Sequence, residues 1–195
     1  MLEKHEDLFS EKVHFYKLDN IAPYNDDIVA ALKNYNLVTT YSREDGRQQR
    51  LGARQTPQNL LDRTDNPFPL LKSTWHSIVE RIERRPVIAS KAWAVLMNKS
   101  DCQARDSVIR IPHEHHPWHW SAVYYVKVPD ALDLENEGAI VFHNPLPYQY
   151  ANSIRIPPEE GLLIVFHSYM LHGIEHFSCD GERISISLNA VISPS

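Results

Sequence analysis

The second half of the chain alternates short apolar runs with polar connections. The runs are rich in β-branched and aromatic residues and have the length of strands. No helix-length pattern separates them, which disfavours a parallel α/β sheet. The pattern therefore predicts a mainly β fold, a sandwich or jelly roll. The eight predicted strands cover residues 87–97, 105–112, 121–128, 138–143, 153–156, 161–166, 173–178 and 183–192.

The first 86 residues have a different pattern, mostly helical or irregular apart from a short strand over residues 13–18. An apolar stripe of Leu71, Trp75, Ile78, Val79 and Ile82 predicts a helix over 68–84, and a shorter helix is expected over 26–35. Residues 41–55 are polar and contain two glycines, which predicts a long loop that either closes over a substrate as a lid or simply connects. We expect one domain over 1–195, with 1–86 as a helical or irregular flank and 87–195 as the β-barrel core.

Composition excludes some function classes. Lysine plus arginine is 20 and aspartate plus glutamate is 25, so the formal net charge is −5, and no basic stripe is present. This argues against a nucleic-acid partner. The charged N-terminus has no apolar signal-peptide core, no membrane-length apolar stretch occurs, and the two cysteines form no CxxC pair. We therefore expect a cytoplasmic protein with no membrane partner. The sequence does not predict an oligomeric state.

The histidines suggest a metal site. The chain has eleven, and four of them fall within residues 113–119. If the strand before His113 continues, alternation directs His113 and His115 to one face and Glu114 to the other. Two imidazoles in this arrangement can chelate iron, zinc, copper or nickel. His172 follows the apolar run 162–166 and a turn, and it is the candidate for a third ligand.

Arg183 lies eleven residues after His172, in the sequence Arg-Ile-Ser-Ile-Ser-Leu-Asn. Strand alternation places Arg183 and Ser185 on one face with Ser187, and places the aliphatic residues on the other. An inward guanidinium requires an anionic partner, and its fork matches a carboxylate. The neighbouring acids Asp180 and Glu182 are the alternative partners, but they flank Arg183 in a turn and would not satisfy an inward guanidinium.

These motifs resemble the 2-oxoglutarate/Fe(II)-dependent oxygenase superfamily, whose pattern is His-x-Asp/Glu, a distal His, and Arg-x-Ser about ten residues later. More narrowly, they are similar to its 2OG-Fe(II) oxygenase group with a His-x-His motif. Here the motifs read His113-Glu114-His115, Ser121 to Tyr125, Gly138 to Phe142, and Arg183 to Asn189. The resemblance covers roughly the C-terminal half.

The resemblance implies a double-stranded β-helix, a cupin-like jelly-roll barrel, with N-terminal helices packed on one sheet. It implies Fe(II) held by His113, His115 and His172, and 2-oxoglutarate as co-substrate, with Arg183 and Ser185 holding its distal carboxylate. The implied enzyme is a dioxygenase that hydroxylates a small molecule, amino acid or peptide residue with O2 and releases succinate and CO2.

One departure from the superfamily pattern affects the mechanism. His115 stands where a carboxylate ligand is usual, and Glu114 could replace it only if the strand bulges. Halogenation is disfavoured, because His115 would fill the space that a halide needs. Two alternatives stay open: a three-histidine cupin-type dioxygenase that uses no 2-oxoglutarate, and a non-catalytic metal-binding barrel.

Three aromatic residues near these motifs are further candidates for the site. Trp118 and Trp120 could wall the substrate cavity or pack in the core, with equal weight. Tyr125 could donate a hydrogen bond to 2-oxoglutarate or be an ordinary strand tyrosine.

Overall fold

The computed structural model describes residues 3–8, 11–35, 37–44, 47–103, 112–144 and 153–194. Its eleven strands are β1 (Glu3–Leu8), β2 (Glu11–Lys17), β3 (Val38–Glu44), β4 (Arg47–Gln55), β5 (Val87–Asn98), β6 (Trp120–Lys127), β7 (Ile140–His143), β8 (Ser153–Ile156), β9 (Leu162–His167), β10 (His172–Ile174) and β11 (Glu182–Ile192). The α-helices are α1 (Asn25–Leu32), α2 (Phe68–Glu83) and α3 (Lys99–Gln103), and short 3-10 helices cover Ala22–Tyr24 and Leu60–Asp62.

Two antiparallel sheets form the described part of the fold. The larger has the strand order β1-β2-β9-β6-β11-β5-β4-β3, and the smaller has the order β10-β7-β8. The long strand β11 lies near the centre of the larger sheet and pairs with β5 on one side and β6 on the other. This arrangement, with helices α1 and α2 against the larger sheet, confirms the predicted mainly β jelly roll.

The two faces of the larger sheet have different surroundings because side chains alternate along each strand. On one face, Ile184, Ile186 and Leu188 of β11 join the main apolar core with residues of α1 and α2. On the other face, Arg183, Ser185, Ser187 and Asn189 line a cavity. The same sheet therefore carries the core on one side and polar side chains on the other.

Helix α2 follows directly from its sequence. Its buried side chains are the stripe residues Leu71, Trp75, Ile78 and Val79, together with Phe68 and Thr74. The helix ends at Arg84, which adopts a left-handed conformation with φ 57° and donates its backbone N–H to the Glu80 carbonyl. Pro86 follows, and a proline cannot continue a helix.

The N-terminal flank contains more strand than the sequence pattern indicates. Strands β1 to β4 all belong to the larger sheet. Residues 41–55, predicted as a long loop, lie mostly in β3 and β4, which pair with each other, and Arg54 and Gln55 pair with β5. The loop prediction was wrong because backbone pairing at a sheet edge requires no apolar alternation.

The C-terminal strand predictions agree with the structure except in two places. The strand predicted over 105–112 falls on residues outside the described part of the chain, apart from Pro112. The strand predicted over 173–178 is confined to residues 172–174. None of the helices in the described ranges has the length and apolarity that a membrane-spanning helix requires.

Candidate active site

Three histidines converge beside the cavity of the larger sheet. One nitrogen from each of His113, His115 and His172 lies within 4.8 Å of the others. His113 and His172 face each other across a β-bridge, with backbone N–O distances of 2.9 and 3.0 Å. The backbone N–H of His115 donates to the Ser168 carbonyl at 2.8 Å. Backbone contacts to the chain around His172 therefore hold all three residues together.

The protonation of His172 suits a metal ligand. Its Nδ1 lies 2.8 Å from the Met170 carbonyl oxygen. A carbonyl can only accept, so Nδ1 carries the proton and the Nε2 lone pair is available to a metal. Burial lowers the pKa of His172 well below its ordinary value. Burial also lowers the pKa of His115 to about 4, and His113 and Lys91 add to that effect. Both imidazoles are thus neutral, as metal binding requires.

Aromatic neighbours fix the imidazole rings. The Phe166 ring meets His172 edge to face with centroids 4.8 Å apart, and Trp93 meets His115 at 5.7 Å. Packed rings keep few alternative rotamers, so the ligand atoms stay convergent before a metal arrives.

Glu114 does not take the place of His115. It is exposed, and the described cluster of potential ligands contains the three histidines without it. His119 is engaged elsewhere, because its Nδ1 accepts the Ile192 backbone N–H at 3.0 Å. Within the described residues, the donor set is therefore three imidazoles, the type of set that Fe(II), Ni(II), Cu(II) and Zn(II) accept.

A cavity of about 590 Å³ adjoins the three histidines. This volume falls within the range of small-molecule sites, ~300–1,000 Å³. Its lining combines the histidines with residues of β4, β5 and β11, and Arg183 and Ser185 are among them. The three histidines of the candidate metal site therefore share one cavity with Arg183 and Ser185, the predicted anion-binding pair.

Arg183 is the most unusual polar group of this cavity. Its side chain is fully buried, and Nη1 donates to the Ser185 hydroxyl at 3.2 Å. Its Nε and Nη2 have no hydrogen-bond partner among the described residues. The acids considered as alternatives pair elsewhere, Glu182 with Arg54 and Asp180 with Lys99. A buried unpaired guanidinium is costly, so this site is built for an anion.

Tyr125 lies against the same guanidinium. The Arg183 guanidinium carbon is 5.0 Å from the centre of the Tyr125 ring. Burial raises the pKa of the Tyr125 hydroxyl, and the positive charge of Arg183 partly offsets that rise. The hydroxyl has no hydrogen-bond partner in the described part of the chain. It is therefore a neutral donor placed beside the anion site.

The two candidate tryptophans, Trp118 and Trp120, lie in different environments. Trp118 lines the cavity. Trp120 does not, and its predicted role as a cavity wall was wrong: it is buried in the core on the helix side of the larger sheet. Its Nε1 donates to a Glu83 carboxylate oxygen at 2.8 Å, and its ring stacks on His167. Trp120 begins β6 with its side chain on the core face, whereas Trp118 precedes the strand.

Sequence reasoning missed several cavity residues. Lys91 and Trp93 of β5 line the cavity, and so does Asn189 of β11. The signal was present in β5, where Lys91, Trp93, Val95 and Met97 alternate with alanines and a leucine. Lys91 and Trp93 stand at the positions paired with Asn189 and Ser187, so the polar row of β11 predicts their face.

Comparison with protein families identifies the chain. Residues 91–189, about half of the sequence, match the family model described as "Putative 2OG-Fe(II) oxygenase". The chain belongs to this family. Membership of the 2OG-Fe(II) oxygenases identifies Fe(II) as the metal and 2-oxoglutarate as the co-substrate. The three imidazoles and the unpaired guanidinium of Arg183 fit that pair.

Solved structures of other oxygenases share the fold. The chain is similar to a Pseudomonas putida prolyl-4-hydroxylase, with a TM-score of 0.63, 12% identity and coverage of 96% of both chains. It is also similar to SnoN, a non-heme α-ketoglutarate-dependent epimerase of nogalamycin biosynthesis, with a TM-score of 0.66, 14% identity, and coverage of 93% of this chain and 79% of SnoN.

A third similar structure is HygX of Streptomyces hygroscopicus with nickel and 2-oxoglutarate bound. Its TM-score is 0.61 at 10% identity, with 93% of this chain and 83% of HygX covered. At these identities the likeness establishes the fold alone. No curated protein sequence matches this 2OG-Fe(II) oxygenase significantly.

Proposed function

We propose that the protein is an Fe(II)- and 2-oxoglutarate-dependent dioxygenase that hydroxylates a small molecule, an amino acid or a peptide residue. His113, His115 and His172 would hold the metal, and Arg183 with Ser185 would hold the distal carboxylate of 2-oxoglutarate. The observation that carries the proposal is the buried guanidinium of Arg183, whose Nε and Nη2 have no hydrogen-bond partner among the described residues, in the cavity that the three histidines line.

The residues of the cavity would have different roles in such a reaction. When bound, Fe(II) and 2-oxoglutarate supply the oxidative decarboxylation that consumes O2 and yields succinate and CO2. Arg183 orients the co-substrate by a charge-assisted, two-pronged hydrogen bond, and Ser185 supports the guanidinium. Tyr125 offers its neutral hydroxyl next to that carboxylate. Phe166 and Trp93 fix the histidine rings and exclude water from them.

Oxygenases with this fold catalyse more than one type of reaction. Two similar structures, SnoN and SnoK, are an epimerase and a carbocyclase, both dependent on α-ketoglutarate. The reaction outcome on this fold therefore depends on the substrate that the cavity holds, whereas consumption of 2-oxoglutarate is common to these activities.

The test is anaerobic loading of the protein with Fe(II) and 2-oxoglutarate, followed by exposure to O2 and measurement of succinate. We expect succinate above the level of a metal-free control, because the co-substrate and O2 are both supplied to the iron-loaded protein. We also expect 2-oxoglutarate to bind to the iron-loaded protein by calorimetry. Absence of both succinate and binding would overturn the proposal.

A second candidate is a three-histidine dioxygenase that uses no 2-oxoglutarate. The absence of a carboxylate from the described ligand cluster favours it. It gives the unpaired Arg183 guanidinium no role unless the primary substrate is itself a carboxylate. Calorimetry with 2-oxoglutarate separates the two candidates, because the second predicts no binding.

A further inference from the structure

Lys91 places a second positive charge in the cavity. Among the described lining residues, Lys91 and Arg183 are the only lysine or arginine. The half-buried Lys91 side chain donates from its ammonium to the Gln58 side-chain oxygen at 2.6 Å, in a contact that solvent reaches. No carboxylate of the described chain lies within ion-pair distance of it; the one acid that lines the cavity, Glu114, is exposed to solvent. Lys91 is therefore a cation with a neutral partner.

The two cations come from strand positions that are far apart along the sheet. Lys91 pairs with Asn189 across β5 and β11, and Arg183 pairs with Met97. Six residues of strand separate these pairs, which corresponds to about 20 Å of backbone. The part of the cavity beside Lys91 therefore starts from a backbone position well removed from that of Arg183, beyond the length of a five-carbon diacid. Lys91 is left for a different ligand.

The surroundings of Lys91 supply the rest of a binding site. Its ammonium nitrogen lies 4.8 Å from the centre of the Trp118 ring and 5.8 Å from that of Trp93. Two indole faces next to a cation suit a flat apolar body that ends in an anionic group. The Trp93 ring also packs against the His115 ring, with centroids 5.7 Å apart, so this site adjoins the three histidines.

Gln58 adds a second donor. An ammonium can only donate, so the oxygen of the Gln58 amide must face Lys91. Lys91 retains further N–H bonds, and Gln58, which also lines the cavity, keeps its amide nitrogen as a donor. Donors of this kind match the two oxygens of a carboxylate.

We propose that Lys91, Gln58, Trp93 and Trp118 form the binding site of the primary substrate, and that this substrate is a small carboxylic acid with a flat apolar body. This inference rests on the proposed function and names the substrate class of the same cavity. The metal site would bind one carboxylate of 2-oxoglutarate and Arg183 would bind the other. The carboxylate of the primary substrate would then pair with Lys91.

The test uses two probes that differ in charge: 3-phenylpropanoate and 3-phenylpropanamide. Each is titrated by anaerobic calorimetry into protein loaded with Fe(II) and saturated with 2-oxoglutarate. We expect the acid to bind at least about 10-fold more tightly than the amide, because only the acid makes charge-assisted hydrogen bonds.

Variants assign that preference to Lys91. Lys91→Met should bind the acid and the amide equally, and Lys91→Arg should keep the preference. Lys127→Met, which removes an exposed lysine of β6, is the matched control and should behave as wild type. Trp118→Leu should weaken both probes and leave their ratio unchanged. Retained 2-oxoglutarate binding shows that each variant is folded.

Three results would overturn the inference: equal affinities for the two probes in the wild-type protein, no binding of the acid, or an acid affinity that falls as 2-oxoglutarate is increased. The last would place the probe in the co-substrate site. Failure of the proposed function is distinct, because 2-oxoglutarate itself would then not bind to the iron-loaded protein.

Discussion

Arg183 is a buried charge that the described chain leaves half satisfied. Burial of a guanidinium with two nitrogens that lack a partner among the described residues costs stability, which a bound anion recovers. We expect Arg183→Met to weaken 2-oxoglutarate binding about 100-fold, the loss of a paired, charge-assisted contact. The free energy of unfolding without 2-oxoglutarate should equal or exceed that of wild type. Calorimetry and urea denaturation measure the two quantities.

The ligand dependence of stability sharpens this prediction. At a 2-oxoglutarate concentration 100-fold above the wild-type Kd, the wild-type protein should gain about 2.7 kcal/mol of unfolding free energy, and the variant, whose Kd then equals that concentration, should gain only about 0.4 kcal/mol. Arg155→Met, which removes a partly exposed arginine paired with Glu175, is the control and should leave 2-oxoglutarate binding unchanged. A variant that is much less stable than wild type yet still binds 2-oxoglutarate would assign Arg183 a structural role.

His115 is the residue at which this chain departs from the usual ligand pattern. We expect His115→Asp to keep Fe(II), because it restores the His-x-Asp arrangement of the superfamily. His115→Ala should lose most of it, because two imidazoles remain. Glu114→Ala is the control and should retain iron, since Glu114 is exposed and outside the cluster. Iron content after gel filtration is the measurement. Iron lost from Glu114→Ala but kept by His115→Ala would make Glu114 the ligand.

Single residues were predictable from sequence where strand alternation applies. Arg183 shares the cavity with the three histidines, as alternation along β11 indicated. His113 and His115 converge with His172 as predicted, although they lie outside the named strands and only His113 forms a β-bridge. The sequence left Trp120 as either a cavity wall or a core residue, and the structure places it in the core. The pattern could not decide because Trp120 begins β6, so no earlier residue of that strand fixes the face to which its side chain points. Whether a buried guanidinium has a partner depends on the surrounding side chains, which no local pattern reports.

The segment from His113 to His119 depends on neighbouring elements for its position. Buried Ser168, between β9 and β10, accepts the His115 N–H through its carbonyl and donates its own N–H to the His119 carbonyl. Ser121 of β6 links Ser168 to Asn189 of β11 through side-chain hydrogen bonds of 3.0 and 2.8 Å. This network ties the turn that supports His115 to the central strand of the sheet.

We expect Asn189→Ala to cost about 1–3 kcal/mol of unfolding free energy, because it removes a buried acceptor from this network. Iron affinity should also fall, since the support of His115 loosens. Ser187→Ala is the matched control: it lies two residues earlier on the same face of β11 and is half-buried. Urea denaturation and iron titration measure both variants. Equal effects of the two substitutions would contradict a role specific to the network.

The hairpin of β3 and β4 could not be predicted from its own hydrophobic pattern. Its residues are polar, so the hydrophobic pattern predicted a loop, yet the backbone pairs from Val38–Gln55 to Glu44–Arg47. Helix α2 and strands β5 and β11 were predictable because their apolar side chains face a core. An edge hairpin depends on the strand beside it, and that neighbour is distant in sequence.

The two faces of the larger sheet have different roles in the molecule: one contributes to the core and the other to the cavity. Its helix-facing side chains build the main core, and its opposite face lines the cavity. Ser185 and Ile186 are adjacent in β11 and both are buried, but they face opposite sides. Substitutions at these two neighbouring positions should therefore differ in their effect on 2-oxoglutarate binding.

Ile186→Ala should cost about 2–5 kcal/mol of unfolding free energy, because it leaves a cavity in the core. Its 2-oxoglutarate affinity at low temperature should stay near wild type, since the Arg183 face is untouched. Ser185→Ala should lose 2-oxoglutarate affinity, because Arg183 loses the hydroxyl that orients it, and should cost about 1–3 kcal/mol of unfolding free energy, because the buried Nη1 loses its acceptor. Thermal unfolding and calorimetry on the two variants test the separation. Parallel losses in both quantities for both variants would show that the two faces act as one unit.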